Sequence, residues 1–468
     1  MNRHHQKTIG IPLAVLLLGA LVGSPARALD GNLFVHDPSS IAICEGHYYI
    51  FGTGNGIPIL TSADGFTWDR GGKVFDKIPD DVHAACPKNN GTDVWAPEVI
   101  KLNGQYYVYY AVSSWGQYVS AVGLVTSPTL DPKDPAYKWT DRGVVVQSVE
   151  GENLNAIDPT VVSAPDGTLW IGYGSYHGNI QLVQLDPKTG LRIAPDSRIY
   201  FIANQSEASN IIYRDGYFYL FVNHGSCCQG KNSTYNIRVG RSKVVTGPYL
   251  DKHGDDMAKG NGTLFLGAAE GQIGPGQFGR LVEDGVEKFS CHYEADLNKG
   301  GRPTLDIRPL LWTADGWPVA GENLKDGTYQ VVSQQTGTIM ETPAGAVADA
   351  TPARLGKYLS QDQQKWTVAA VGGGYYKIVG SATAKALESP ATKTGDGPAT
   401  DSPVRIAAYT GADTQLWRID QLPDGSYRIE SKAARQALSI VTSGPQANAI
   451  VVRDYKGDDT QRWVIAVP

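Results

Sequence analysis

The sequence predicts a nearly all-β protein, a five-bladed β-propeller followed by a β-trefoil, from three observations. Aromatic, β-prone segments recur about every 60 residues as far as residue 320, and a Q-x-W triplet then recurs three times before the C-terminus. The 468 residues also include 54 Gly, 24 Tyr and 10 Trp. Aromatic clusters separated by Gly, Asp and Pro turns favour many short strands over long amphipathic helices.

Residues 1–28 have the pattern of a signal peptide. Arg3 and Lys7 precede an apolar run from Ile9 to Val22, and Ala26-Arg27-Ala28 has the form of a processing site. A run of about fourteen residues is shorter than the roughly twenty that span a bilayer. We therefore expect cleavage after Ala28, a secreted protein that is extracellular or periplasmic, and no membrane partner.

The net charge and the cysteines bear on the partners of the protein and on the compartment in which it folds. A net charge of −6 without a basic stripe argues against nucleic acid as a partner. Disulfides persist in oxidising compartments, so secretion allows the five Cys to pair. Two disulfides are possible, Cys44–Cys86 and a bridge between the adjacent Cys227 and Cys228. Sequence alone does not determine which of them form.

The first repeat spans residues 29–320. Its aromatic segments are 48–51, 106–110, 169–173, 217–221 and 288–293. A polar residue precedes each segment, namely Asp37, Glu98, Asp158, Glu207 and Gln277, at separations of 61, 60, 49 and 70 residues. This spacing suits four short strands and their loops, and five such units close into a propeller. Because the inner strands of a propeller line one channel, we expect these positions to converge.

The second repeat spans residues 323–468. Its Q-x-W triplets are 364–366, 415–417 and 461–463, each with a Tyr six residues before the Gln. An upstream element also recurs, at 339–341, 386–388 and 437–439. Three units of about forty-eight residues describe a closed threefold β fold. Periodic aromatic residues usually pack in a core, so we expect the three Trp and the three Tyr to be buried.

Three carboxylates are the candidates for chemistry. Asp37 and Asp158 each belong to an Asp-Pro pair that opens a β-prone segment, and Glu207 precedes a strand. Taken singly, an Asp-Pro pair is as consistent with a turn as with an active site. A lone Glu before a strand is usually a surface residue. Their placement in the repeat favours a shared pocket.

The order of motifs resembles glycoside hydrolase family 43, especially its arabinan-degrading members. The matching segments are 36–39, 51–54, 94–98, 155–159, 173–175, 207–209, 227–228 and 233–235. The resemblance implies a five-bladed propeller that hydrolyses α-1,5-linked L-arabinan with inversion. It makes Asp37 the general base, Glu207 the general acid, and Asp158 the group that tunes and orients Glu207.

The carboxylates suit these roles. An inverting glycosidase needs one ionised and one protonated carboxyl group, with water admitted between them. A further carboxylate beside the acid raises its pKa by like-charge repulsion. For substrate contacts we expect the ring of Trp95, with Trp115 as a second candidate, and hydrogen bonds from Asn155 and Ser175. Trp95 could equally be a core residue of its blade, and Asn155 could equally be a turn residue.

A metal in the channel is a separate expectation. Related arabinanases carry Gly-Pro-Gly-His at the fifth blade, with the His facing a calcium ion, whereas this chain has Gln277 at that place. An amide is a poorer fixed ligand for calcium than the relatives' side chain. His292 is a further candidate ligand, although a buried His is more often a core residue. No spacing predicts zinc, and the acid–base chemistry itself needs no cofactor.

The C-terminal repeat resembles the ricin-type β-trefoil lectin module. That family carries an Asp at the polar position of each unit, where this chain has Glu341, Glu388 and Ser439. Glu341 and Glu388 are therefore the candidate sugar-binding residues. A trefoil that binds plant cell-wall polysaccharide would raise the local concentration of enzyme on its substrate.

Two other functions compete with an arabinanase. An exo-acting α-L-arabinofuranosidase or a β-xylosidase would use the same fold and carboxylates, with a pocket closed at one end. A non-catalytic glycan-binding protein would lack at least one of the three carboxylates, and all three are present.

Overall fold

The computed structural model describes residues 29–391 and 403–468, which are almost entirely β-strand and loop. The predicted signal peptide lies outside the described residues. The one α-helix in these ranges is Asp80–Ala85. Short 3-10 helices are Gly230–Asn232, Met257–Lys259, Leu297–Lys299, Asp362–Gln364, Asp413–Gln415 and Asp459–Gln461. None of the helices in the described part is long and apolar enough to cross a membrane.

The N-terminal part forms the five predicted blades. From the channel outwards, the strands of blade one are Ala42–Cys44, His47–Phe51, Pro58–Ser62 and Thr67–Lys73, with Asp30–Gly31 added at the outer edge. Those of blade two are Asp93–Leu102, Gln105–Val112, Ser120–Ser127 and Thr140–Ser148, with Gly54–Asn55 beside the inner strand.

The remaining three blades each contain four antiparallel strands. Blade three consists of Thr160–Ser163, Leu169–Tyr173, Ile180–Leu185 and Tyr200–Ala203. Blade four consists of Glu207–Arg214, Tyr217–His224, Asn236–Ser242 and Thr263–Leu266. Blade five consists of Gln272–Glu283, Val286–Asp296, Arg302–Trp312 and Pro318–Ala320. Apolar side chains between neighbouring blades form the cores of this region.

One residue in each inner strand, or shortly before it in blades one and three, has a left-handed backbone conformation. These residues are Asp37, Ala96, Asp158, Ala208 and Gln277, with φ between 39° and 55°. In blades two, four and five the strand pairing shifts register at this place. A bulge of this kind re-aims the neighbouring side chains. By backbone conformation, Ala96 and Ala208 are therefore equivalent to Asp37 and Asp158. Glu98 and Glu207 lie close to these equivalent positions and do not occupy them.

The C-terminal part is the predicted trefoil. Six strands close a barrel: Gly327–Ser333, Trp366–Gly372, Tyr375–Gly380, Trp417–Gln421, Tyr427–Ser431 and Trp463–Ala466. Short strand pairs cap it, formed by Ile339–Glu341 with Arg354–Gly356, Ala386–Glu388 with Arg405–Ala407, and Ala437–Ile440 with Ile450–Arg453. Thr351–Pro352 pairs with the second of these caps.

The aromatic residues of the trefoil behave in two ways. Trp366, Trp417 and Trp463 are fully buried, as predicted. The expectation that the three Tyr are also core residues is wrong, since Tyr358 is 57% exposed and Tyr409 is 40% exposed.

The Gln of each triplet explains this difference. In the second unit, the Gln415 amide donates to the Ala408 carbonyl oxygen at 2.8 Å and accepts from the Thr410 N–H at 2.8 Å. These two groups flank Tyr409 in the chain, so the Gln closes the loop and leaves the ring outside. Gln364 and Gln461 make the same pair of contacts around Tyr358 and Tyr455.

A buried ion cluster joins the propeller to the trefoil. The Lys288 Nζ of blade five lies 2.8 Å from Asp420 Oδ1, and Arg418 and Arg428 contact the other oxygen of Asp420 at 2.9 and 3.0 Å. The backbone N–H of Trp312 also donates to the Pro423 carbonyl oxygen at 2.8 Å. The two parts are therefore held together by charged and main-chain contacts.

One of the two open disulfide pairings is present. Cys227 and Cys228 form a disulfide, whereas Cys44, Cys86 and Cys291 are free and buried. The other predicted possibility, a Cys44–Cys86 pair, is not formed.

Candidate active site

The three predicted carboxylates meet at one end of the channel. Asp37 and Asp158 occupy the left-handed positions of blades one and three, and Glu207 opens the inner strand of blade four. The Ala208 N–H donates to Asp158 Oδ2 at 3.0 Å. The charge of Asp158 thus lies beside the residue that follows Glu207, and the charge of Asp37 affects the pKa of both other carboxylates.

Asp37 is held as a carboxylate. Its Oδ2 accepts a hydrogen bond from Thr53 Oγ1 at 2.6 Å and lies 2.9 Å from His36 Nδ1. Its own N–H donates to His292 Nδ1 at 3.2 Å. Burial opposes ionisation, but the charge and hydrogen bond of His36 outweigh burial and lower the pKa of Asp37. Asp37 is therefore ionised and able to accept a proton.

His36 links Asp37 to a fourth carboxylate, Glu294. Its Nε2 lies 3.4 Å from Glu294 Oε1, which also accepts from the Cys228 N–H at 2.8 Å. Burial works against the imidazolium, yet the two carboxylates raise the pKa of His36 to about 10. For Glu294, burial raises the pKa, but hydrogen bonds from His292 and His36 give a lowered value overall. A protonated His36 therefore lies between two ionised carboxylates.

Glu207 has the opposite environment. Burial, followed by repulsion from Asp37 and Glu294, raises the pKa of Glu207 to about 7, although a hydrogen bond from Tyr235 opposes the shift. The Tyr235 hydroxyl donates to Glu207 Oε1. Burial and the charge of Glu207 also raise the pKa of Asp158 well above its usual value. Because Asp158 and Glu207 titrate as a coupled pair, together they retain a proton into the neutral range.

Aromatic side chains surround this end of the channel. Trp95 directly precedes the bulge of blade two, and the exposed Trp115 packs edge-on against it with ring centroids 5.7 Å apart. Tyr118 stacks on His177 at 3.7 Å, so the loops of blades two and three meet there. Trp115 is 75% exposed, which makes it the more open of the two predicted rings.

The two predicted polar contacts lie nearby but bond to protein. Asn155 Nδ2 donates to Ser175 Oγ at 3.2 Å, and Ser120 Oγ donates to Asn155 Oδ1 at 2.6 Å. Asn155 and Ser175 are both buried. Their side chains are thus positioned by each other and by Ser120.

The donors around the channel match calcium poorly. The groups of described side chains that could hold an ion there combine His36 with Asp37 and His292, or with Cys228 and Glu294. Calcium prefers six to eight oxygen ligands. Here His36 is ion-paired with both carboxylates, and the sulfur of Cys228 belongs to a disulfide. Gln277 is buried, with its N–H donated to Asn223 Oδ1 at 3.1 Å.

The predicted sugar-binding residues of the trefoil are bonded within each unit. Glu341 accepts from Arg354 Nε at 3.1 Å and from Gln364 Nε2 at 2.8 Å. Glu388 accepts from Arg405 Nε at 2.9 Å and from Gln415 Nε2 at 3.0 Å. Both carboxylates are thus tied to the Gln that closes the loop of their unit.

Sequence reasoning missed three residues of the site: His36, Tyr235 and Glu294. His36 and Tyr235 lie inside motifs that match the family, so the sequence could have indicated that they lie near the carboxylates. Glu294 directly follows the last aromatic segment, and no sequence motif indicated that it belongs to the site. Glu98, by contrast, accepts from the Ser40 N–H at 3.0 Å within the blades, and burial raises its pKa to about 7.

Two family models match the chain. The model of glycosyl hydrolases family 43 matches residues 31–318. The model of ricin-type beta-trefoil lectin domain-like sequences matches residues 311–406 and 362–452.

Individual relatives act on arabinose polymers according to their names. An extracellular exo-α-(1→5)-L-arabinofuranosidase of Cellvibrio japonicus (strain Ueda107) is 36% identical over 330 residues, covering 67% of this chain and 92% of that protein. An extracellular endo-α-(1→5)-L-arabinanase of Bacillus subtilis (strain 168) is 37% identical over 321 residues, covering 65% and 95%. The structure of a Cellvibrio cellulosa α-L-arabinanase complexed with arabinohexaose is 33% identical, with a TM-score of 0.59 over 62% of this chain and 95% of that chain.

The family match covers more than half of the chain and includes all three carboxylates. The five blades and the closed barrel agree with both models. The protein therefore belongs to glycosyl hydrolases family 43, and it is a glycoside hydrolase with a C-terminal ricin-type β-trefoil.

Proposed function

We propose that the protein is a secreted arabinanase that cleaves α-1,5-linked L-arabinan internally and with inversion. The observation that supports this best is the contrast between Asp37, whose pKa is lowered, and Glu207, whose pKa is raised to about 7. One ionised and one protonated carboxyl group are what an inverting glycosidase requires. The names of the relatives support arabinan as the polymer.

In the proposed reaction, Asp37 accepts a proton from a water molecule as its oxygen attacks the anomeric carbon. Glu207 gives its proton to the oxygen of the leaving sugar as the glycosidic bond breaks. Asp158 is a positioning residue, because it holds the Ala208 N–H and shares a proton with Glu207 as one coupled pair of carboxyl groups. His36 fixes Asp37 in its ionised form.

Export is supported by the relatives and by the N-terminal sequence. Both curated relatives are named as extracellular enzymes. Residues 1–28 have the pattern of a signal peptide.

An exo-acting α-L-arabinofuranosidase is the second candidate, since one relative of comparable identity is named as an exo enzyme. Sizing the early products from linear arabinan separates the two. A ladder of short oligosaccharides supports internal cleavage, and release of arabinose alone would favour the exo enzyme. Inactivity on linear arabinan together with activity on xylo-oligosaccharides would overturn both.

The catalytic roles have their own test. Glu207→Gln should lower kcat by about 10² to 10⁴-fold, as expected for the loss of a general acid. Glu45→Gln, which changes an exposed residue in the first turn of blade one, is the matched control and should retain full activity. Full activity of Glu207→Gln would contradict the proposal.

A further inference from the structure

A large groove lies between the propeller and the trefoil. Its cavity volume is about 1280 Å³. Ligand pockets commonly measure about 300 to 1,000 Å³ and often lie between domains. The groove is lined by residues at the strand ends and turns of blades four and five, including both turns 284–285 and 313–316 of blade five, and by the trefoil from residue 422 onwards. It has room for several sugar units.

The groove lies away from the active site. Glu207 opens the inner strand of blade four, and Arg214, which lines the groove, ends the same strand. A strand rises about 3.3 Å per residue, so the seven residues between them, which include the bulge at Ala208, separate the two by up to about 23 Å. A ligand in the groove would therefore leave the catalytic carboxylates free.

Four aromatic residues line the groove, and the three that are partly exposed, Tyr217, Trp312 and Tyr455, each lie beneath a cation. Arg214 lies over the ring of Trp312 at 4.3 Å. Arg241 lies over the ring of Tyr217 at 4.6 Å, and Arg428 lies over that of Tyr455 at 5.0 Å. All three rings are partly exposed. The cation covers one face of each ring and fixes its position, and the exposed part of the ring can pack against the apolar face of a sugar ring.

Charges of both signs alternate along the walls. Arg462 pairs with Asp424 at 2.9 Å, and Arg214 pairs with Asp215 at 3.4 Å. Near balance of charge gives no strong field for an anion, while side chains of both kinds can bond to hydroxyl groups. Within the described part of the chain, the side chains of Arg435 and Lys456 have no hydrogen-bond or ion-pair partner, so both are available to a ligand.

The walls are fixed relative to each other before a ligand binds. The hydrogen bond from Trp312 to Pro423 joins one wall to the other. The buried Lys288–Asp420 pair lies beside it. A preformed groove lowers the ordering cost of binding.

We propose that this groove is a second glycan-binding site, which holds a neutral polysaccharide segment while the channel cleaves elsewhere. That the sugar is arabinan rests on the proposed function. A second site raises the effective concentration of the polymer at the active end. Tyr455 is then the one repeat Tyr of the trefoil that acts together with the propeller.

Hydrogen exchange on the Glu207→Gln chain with linear arabino-oligosaccharides tests the proposal without turnover. We expect protection around 312–316 and 455–462 as well as around the catalytic carboxylates. Tyr455→Ala should weaken protection of the groove peptides by about tenfold in ligand concentration, as for the loss of one stacked ring. Arg435→Ala, a change at an exposed residue of the groove, should weaken it in the same direction.

Tyr409→Ala is the matched control, because Tyr409 holds the same place in the second unit but lies outside the groove. It should leave the groove peptides protected as before. Protection of the channel without the groove would overturn this inference alone, as would equal losses in Tyr455→Ala and Tyr409→Ala. Protection of neither region would overturn both the groove site and arabinan as the substrate.

Discussion

The Ala208 N–H donates to a carboxylate oxygen of Asp158 at 3.0 Å. This contact couples blade three to the strand that begins at Glu207. It places a second carboxyl group beside the proposed acid and fixes the main chain next to that acid at the same time. The proposed tuning of Glu207 by Asp158 depends on it.

Asp158→Asn should move the basic limb of the pH–rate profile to lower pH. The amide can still accept the Ala208 N–H, but the mutual repulsion of the two carboxyl groups is gone, so the one that remains, Glu207, loses its proton at lower pH than the pair does. A shift of about one pH unit corresponds to the loss of one nearby charge. The pH dependence of kcat/KM on linear arabinan measures this shift. An unchanged basic limb would show that Asp158 does not tune the acid.

Tyr235→Phe should move the same limb in the opposite direction. The Tyr235 hydroxyl donates to Glu207 and favours its ionised form. Without this donor the pKa of Glu207 rises, so the acid stays protonated to higher pH. The two variants are controls for each other. Shifts of the same sign in both would contradict the assignment of the basic limb to Glu207.

Asp420→Ala should destabilise the protein strongly. It leaves Lys288, Arg418 and Arg428 without their shared carboxylate in a buried place. Removing one partner of a buried ion pair typically costs about 3–5 kcal/mol. The free energy of unfolding in denaturant measures the loss.

Asp413→Ala is the control for this prediction. Asp413 pairs with Lys432 at 2.8 Å on the surface, where an ion pair contributes about 0–1 kcal/mol. Equal losses in the two variants would show that the interdomain cluster does not stabilise the fold.

Chelation should cost little activity. The channel donors are paired with each other, and the fifth blade contributes the amide side chain of Gln277. Activity after dialysis against a chelator, with and without added calcium, is the measurement. Strong inactivation that calcium restores would show that a metal supports the site after all.

Much of the fold and the three carboxylates were predictable, because repeats place equivalent residues at equivalent points of a closed structure. The register of the inner strands was less predictable. Ala96 and Ala208 occupy the positions equivalent to Asp37 and Asp158, and a bulge, which leaves no sequence period, turns Glu207 into the channel. The exposure of Tyr409 depends on a side-chain bond from Gln415 to the main chain, which periodicity does not reveal.

The most direct test of the central claim is the anomer first formed during hydrolysis, followed by proton NMR from the moment of mixing. An inverting reaction on an α-linked arabinan releases the β-anomer first, and the α-anomer then grows by mutarotation. Initial appearance of the α-anomer would contradict the assignment of Asp37 as a base that activates water.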